Sequence, residues 1–318
     1  MKKIFIVLLL FVLAGCTDDK IIENYDQSSV SDYFPVQKNI SMSYESPTLP
    51  ALNQRMFITY TDGDRFQRVI MFNEIAQTEV FEINDGAIKL INSEQQSLVP
   101  ENMTKLDPVL DILVLAEPLT LGAKWDNGNG GTSEITGINV AVKVPYGEYE
   151  AMEVTTIDTM GRANKMYYAK GVGLIKSVYF DAATDREYAA ELADISENVG
   201  INMGIGLYSV NEEGIDFDVS VVYFPFTTDG DLVALLSDAI QIKDGQDGIL
   251  NGSVKSISVD RQTDTMNVDL SKGFTGKTEK EALINCLAFT IGKFYDIHSV
   301  TFTENGSKTG DSDSYSVY

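Results

Sequence analysis

Gly273-Phe274-Thr275-Gly276-Lys277-Thr278 follows a β-like stretch ending at Leu270 and precedes a helix-like one. Glycines, a lysine and a hydroxyl residue in that order can cradle a phosphate with backbone N–H groups and an ammonium. The full pattern also needs a glycine five positions before Gly276, where the backbone must turn tightly, and Ser271 stands there. The preceding strand alternates, with Met266, Val268 and Leu270 on one side and Asn267 and Asp269 on the other. That pattern predicts a half-exposed antiparallel strand, not the buried strand that leads into a phosphate loop. Gly273 and Gly276 are therefore expected to make a turn. Thr278 caps the next helix and Glu281 completes a capping box.

Other reactive residues are sparse. His298 is the single histidine, so any Ser-His-Asp or Cys-His site would have to use it, and multi-histidine metal sites are excluded. Its place at a strand entrance reads as a surface or structural role. Asp269 and Ser271 could be base and nucleophile, but no third group is identifiable. Asp62-Gly63-Asp64 and Asp126-Asn127-Gly128-Asn129-Gly130 resemble fragments of calcium loops without the ligand spacing or the closing Glu. Both read as turns. No catalytic, metal-ligating or cofactor-binding residue is expected, and the chain is not expected to be an enzyme.

The N-terminus carries the clearest signal. Met1-Lys2-Lys3 is basic, residues 4–13 are almost unbroken aliphatic and Phe, and Leu13-Ala14-Gly15-Cys16 follows. This is the layout of a secretory signal whose apolar run is too short to serve as a mature anchor. It resembles the bacterial lipobox, which implies cleavage after residue 15, diacylation of Cys16 and attachment to the extracytoplasmic face of the cell membrane. That location has no ATP supply, a further count against the phosphate loop. With Cys16 taken by lipid, Cys286 is alone, so no disulfide is expected within the mature chain. Cys286 lies in an apolar helical stretch and reads as a small hydrophobe.

Removing residues 1–15 takes away two lysines and no acids, leaving 22 Lys and Arg against 47 Asp and Glu, a net charge of −25. That disfavours nucleic acid and anionic lipid headgroups as partners. No later apolar run reaches about 18 residues, so no further span is expected.

At this length two domains are expected. Residues 16–32 read as a polar tether, with 17–31 a flexible spacer. Residues 33–198 are β-rich. Runs of β-branched and aromatic residues lie at 56–60, 66–72, 78–83, 87–91, 135–144, 151–157, 165–169, 174–180 and 187–195, separated by turn signals. Asn84-Asp85-Gly86 between two runs marks a hairpin. A mainly β domain is expected, an antiparallel sheet that is curved or barrel-like. Residues 198–206 hold three glycines and little pattern, and mark a boundary. Beyond it, Phe217, Val219, Val221 and Tyr223 share one strand face. A helix is expected over 228–240, capped by Thr228 and Asp231, then strands at 254–259 and 265–270. A helix over 279–295 and a strand at 300–303 complete a small α+β domain over 199–310, with a frayed tail at 311–318. Leu283, Leu287, Ile291 and Phe294 form the apolar face of the last helix, with Ile284 and Ala288 beside them.

Both halves resemble known architectures. Tyr33-Phe34-Pro35, the 118–125 segment ending in Trp125, Val144-Pro145-Tyr146-Gly147-Glu148-Tyr149 and Tyr167-Tyr168-Ala169-Lys170-Gly171-Val172-Gly173 resemble the β-rich domain of extracellular bacterial lipoproteins. The second half is similar to the GerMN domain of sporulation and spore-germination lipoproteins. Val222-Tyr223-Phe224, the Val-Asp-Leu-Ser strand end at 268–271, the apolar helix reaching Thr290, and the strand closing at Asn305-Gly306 carry that match in order. Where that family usually has a Gly-Pro turn, Lys243 to Gly248 contains no proline. The GerMN resemblance implies a non-enzymatic module that docks or assembles at the cell envelope. Envelope proteins would be its partners, with homo-oligomer formation left open. The alternative is a ligand-binding lipoprotein whose β-domain holds a glycan or an apolar molecule, with Trp125 and the tyrosines as a platform.

Overall fold

The computed structural model describes residues 28–72, 75–96, 101–210, 217–241, 250–272, 280–308 and 314–317. In the first half, period-two alternation and turn residues give twelve strands: β1 (Ile40–Glu45), β2 (Gln54–Asp62), β3 (Arg65–Phe72), β4 (Ile75–Asn84), β5 (Ala87–Gln96), β6 (Ile112–Ala116), β7 (Lys124–Asp126), β8 (Thr132–Val144), β9 (Gly147–Ile157), β10 (Ala163–Ala169), β11 (Gly173–Asp181) and β12 (Arg186–Glu197). They form one antiparallel sheet in the order β6-β5-β4-β3-β2-β1-β12-β11-β10-β9-β8-β7. Its end strands meet. Leu113 N donates to Asn127 O at 3.0 Å, and Trp125 Nε1 donates to Leu113 O at 3.2 Å. The sheet is thus a nearly closed barrel, which removes most of its exposed edge. At the Asn84 hairpin, Asp85 and Gly86 take φ values of 46° and 71°, the left-handed pair a two-residue loop needs. Sequence patterning did not single out β1, which alternates Ile40, Met42 and Tyr44 with polar residues, nor β6, an unalternating run of five residues, nor β7, which has three.

The chain enters the barrel through α1 (Val30–Tyr33), a single helical turn. Val30 N donates to Glu117 Oε1 at 3.0 Å, and Val30, Tyr33 and Phe34 are buried. The Phe34 ring lies 5.3 Å from Phe81, 5.8 Å from Phe66 and 6.3 Å from Tyr168. The spacer expected through Ser31 is therefore corrected at its end. From Val30 the chain is packed, because these side chains fill one end of the barrel.

The second half starts with β13 (Ile201–Val210), paired antiparallel to β14 (Phe217–Phe226). This corrects the patternless boundary expected around 198–206. Ile201, Met203, Ile205 and Leu207 alternate and are all buried, while Gly204 and Gly206 face the other way. Tyr223 and Val221 lie so close over Gly204 that an added Cβ would meet the Tyr223 ring at 2.9 Å. The glycines that blurred the strand are there because β14 side chains cross them. α2 (Leu232–Ile240) begins later than expected. Asp231 is its cap, accepting from Ala234 N at 2.9 Å, and Thr228 is used elsewhere.

β15 (Val254–Asp260) and β16 (Thr265–Leu270) form the expected hairpin. β16 is antiparallel to β15 but parallel to β17 (Ser299–Glu304), which it reaches through α3 (Lys280–Tyr295). Its alternation is as read, with Met266, Val268 and Leu270 buried and the intervening residues half-buried. β18 (Ser307–Lys308) and β19 (Tyr315–Ser316) add to the other side of β17. The tail expected to fray is corrected here. Val317 N donates to His298 O at 2.9 Å, and its side chain is fully buried.

The face of α3 is rotated from the expected one. Ile284, Leu287, Ala288, Ile291 and Tyr295 are buried, whereas Leu283 is 38% exposed. Leu287→Ala should cost about 2–5 kcal/mol, since it leaves a cavity under a sheet that cannot collapse onto it. Urea melts of the two proteins measure this, and a loss under about 1 kcal/mol would mean that Leu287 is not core.

One core spans the two halves. Phe57, Tyr60, Val69 and Ala76, from the outer face of β2 to β4, pack with Phe226, Leu232, Leu236, Leu287 and the rest of the second unit. Tyr60 and Phe226 meet edge to face with centroids 5.5 Å apart. Polar groups lock the margin. Thr228 Oγ1 donates to Ile58 O at 2.7 Å and accepts from Asn39 N at 2.9 Å. Asp229 accepts from Thr61 N at 2.6 Å and pairs with Lys38 at 2.7 Å. Burial alone would push the Asp229 carboxyl up, but Lys38 and Thr61 outweigh it and hold it below its ordinary value. This contribution to stability is thus present above the unfolded-state pKa and is lost as pH falls through the lower folded one.

Candidate functional site

Cys16, Gly273, Gly276 and Thr278 lie outside the described residues, and nothing is described of the Glu281 side chain. The other residues with reactive potential are all in structural use. Asp269 Oδ1 accepts from Thr303 Oγ1 at 2.7 Å and from Gly306 N at 2.8 Å. Ser271 Oγ accepts from Ser253 N and Ser253 Oγ, both at 2.9 Å. The two hold the end of β16 and do not form a nucleophile and base. His298 is exposed and paired with Asp264 through Nδ1, at the start of β17. Cys286 is buried, and burial pushes its thiol up, away from the thiolate that nucleophilic chemistry needs.

The calcium-like fragments are turns. Asp126 Oδ1 accepts from Gly128 N at 2.8 Å, and Asn127 Oδ1 accepts from Asn129 N and Gly131 N, each at 2.9 Å. These are Asx turns, with the side chains bonded to their own loop. No cluster of three His, Cys, Asp or Glu that could hold a metal occurs among the described residues.

The barrel interior is filled. Alternation along β3 turns Phe66, Arg68 and Ile70 inward. Arg68 Nε donates to Glu79 Oε2 at 2.8 Å, and its guanidinium lies 4.6 Å from the Phe81 centroid and 5.5 Å from that of Phe34. The Tyr168 phenol beside it is pushed up to about 12 by burial, which Arg68 only partly opposes. The space left over is about 60 Å³, bordered by Phe34, Met42, Tyr44, Met56 and Arg68. That is far below the roughly 300–1,000 Å³ of ordinary ligand pockets. A glycan does not fit there, and Trp125, expected as part of a ligand platform, is a packing residue. Its indole is partly buried against the barrel core, with its N–H committed to Leu113.

One surface stands out. The face shared by Val219, Val221 and Tyr223 on β14 is solvent-exposed, at 53%, 53% and 66%. Gly204 and Gly206 flatten the neighbouring strand beneath it. Sequence alternation identified this face, but only the structure shows that the opposite face, with Phe224 and Phe226, is the buried one.

No protein-family model matches the chain, and no curated protein does. Two solved structures are similar in part. One, from Bacteroides fragilis, is classed as an exported protein with a YmcC-like fold. It is 10% identical, with a TM-score of 0.32 over 54% of this chain and 100% of its own. The other, from Parabacteroides distasonis, is classed as a lipoprotein. It is 10% identical, with a TM-score of 0.30 over 52% of this chain and 98% of its own. Likeness at this level carries no argument about fold or function.

Proposed function

We propose that the protein is a membrane-tethered extracytoplasmic lipoprotein that acts as an interaction or assembly module of the cell envelope. The exposed apolar stripe of Val219, Val221 and Tyr223 carries the reading. A flat, two-stranded face of this kind holds little for a small molecule but suits a protein partner. The tether rests on the Leu13-Ala14-Gly15-Cys16 sequence. The narrower reading, a role linked to sporulation or germination, rests on the GerMN resemblance alone.

The two parts are tested in the same cells with the full chain, because the shared core makes an excised second half a poor reagent. Cys16→Ala should move the protein from the membrane to the soluble fraction, and its retention there would end the tether reading. Val221→Asp with Tyr223→Asp should abolish crosslinks to envelope proteins while leaving fractionation and melting unchanged. Undiminished crosslinking would sink the assembly reading.

A further inference from the structure

A second cavity lies between the barrel and the C-terminal unit, and nothing in the proposed tether or stripe uses it. Its volume is about 410 Å³, within the range of small-molecule sites. The barrel contributes Tyr60 and Glu101. The other unit contributes Asp231, Leu232, Ile257 and Tyr295.

Two observations converge on a ligand. Tyr60 and Tyr295 are 9% and 3% exposed, both line this cavity, and neither phenol has a hydrogen-bond partner among the described residues. The phenol oxygens are not sealed in the core, where the buried side-chain polar atoms without a partner among the described residues are Ser41 Oγ and Ser177 Oγ. Both phenols open on the cavity while the rest of each ring is buried. Two such groups on one cavity point to something that completes them. The second observation is the charge. Asp229 is paired with Lys38, and Glu101 with Arg261, which also donates to Tyr295 O at 2.7 Å. Asp231 has no cationic partner among the described residues. Among the described residues its side chain makes one hydrogen bond, the helix cap through Oδ1. The helix N-terminus offsets part of that charge, but the surroundings remain negative. Burial pushes both phenols up, and Asp231, Asp229 and Glu101 add to the rise at Tyr60, as Glu101 and Asp231 do at Tyr295. The phenols therefore stay neutral, able to accept from a cation or donate.

We infer that this inter-unit cleft binds a small molecule with one ammonium group on an apolar body. Asp231 and the phenol oxygens of Tyr60 and Tyr295 take the cationic head, and Leu232 and Ile257 pack on the rest. A single unpaired carboxylate matches a single positive charge, and an anion would meet that carboxylate beside two neutral phenols. This inference does not depend on the tether or on the β14 stripe.

The test is titration calorimetry of the full chain with three isosteric probes: cyclohexylmethylamine, cyclohexylmethanol and cyclohexanecarboxylate. The amine should bind at least about tenfold more tightly than the alcohol, and the carboxylate should not bind. Asp231→Asn keeps the cap, since Asn caps as well as Asp, so its melting should match wild type while amine affinity falls about tenfold or more. Tyr60→Phe combined with Tyr295→Phe should also weaken the amine with the fold intact. Three results would overturn the inference: no heat with any probe, alcohol or carboxylate binding as tight as the amine, or amine affinity unchanged in both variants.

Discussion

Phe226→Ala should destabilise the protein by about 3–5 kcal/mol, a large fraction of the roughly 5–15 kcal/mol that a domain of ordinary stability has to lose. Phe226 is completely buried. Its ring meets Tyr60 of the barrel and closes over Gly230, where an added Cβ would come within 3.3 Å of it. Its backbone pairs with Ile201 at the start of β13. Truncation therefore opens a hole in the core that both units share, and neither unit can move in to fill it without losing Thr228 and Asp229 contacts at the margin. The expected signature is a single calorimetric transition displaced by roughly 6–20 °C, from about 2–4 °C per kcal/mol for a chain of this size. Phe226→Leu, which keeps most of the volume, should cost under about 1.5 kcal/mol. Two separate transitions in wild type would show that the units melt independently and that Phe226 does not couple them.

Arg68→Met should cost a similar amount, about 3–5 kcal/mol, for a different reason. The Arg68 and Glu79 side chains are only 17% and 12% exposed. Removing the guanidinium strands a carboxylate that is largely buried, and an uncompensated buried charge is far more expensive than the pair is worth. The lost stacking on Phe81 adds about 0.5–2 kcal/mol at most. Arg68→Met combined with Glu79→Leu should recover most of the stability, because the hole is then apolar and filled. A urea double-mutant cycle measures the difference. A neutral single variant would mean that water reaches Glu79 freely. A double variant as unstable as the single one would place the cost in packing and not in charge.

These two sites also mark how far the sequence could be read. Hairpins with strong local chemistry, such as Asn84-Asp85-Gly86, are visible because the turn and its flanking alternation lie within a dozen residues. The phosphate-loop look-alike is argued against by Ser271 alone, since residues 273–278 lie outside the described residues and β16, expected to be antiparallel, runs parallel to β17 on one side. What failed was whatever depended on a distant partner. Ile201, Met203, Ile205 and Leu207 alternate clearly, yet Gly204 and Gly206 masked them until β14 was seen to cross over the glycines. Leu283 has the right spacing for the buried face of α3, but the sheet meets the helix one position further round. Thr228 has the chemistry of a helix cap and is drawn instead to Asn39 and Ile58, some 170 to 189 residues away. The inter-unit cleft is the extreme case. Tyr60 and Tyr295 come from opposite ends of the chain, and neither phenol carries a local motif. Cys16 is the reverse: its reading needs only its neighbours.

The position of α1 sets a standoff distance. On the proposed tether through Cys16, thirteen residues lie between the lipidated residue and Val30, and the fourteen steps from one to the other reach at most about 50 Å. Residues 28–39 run along one rim of the barrel, held by Lys170 to Ser28, Gly171 N to Asp32 O and Asn39 to Thr228. The same rim carries the Lys38–Asp229 link to the second unit. A protein that engages this rim therefore has to work within that short leash.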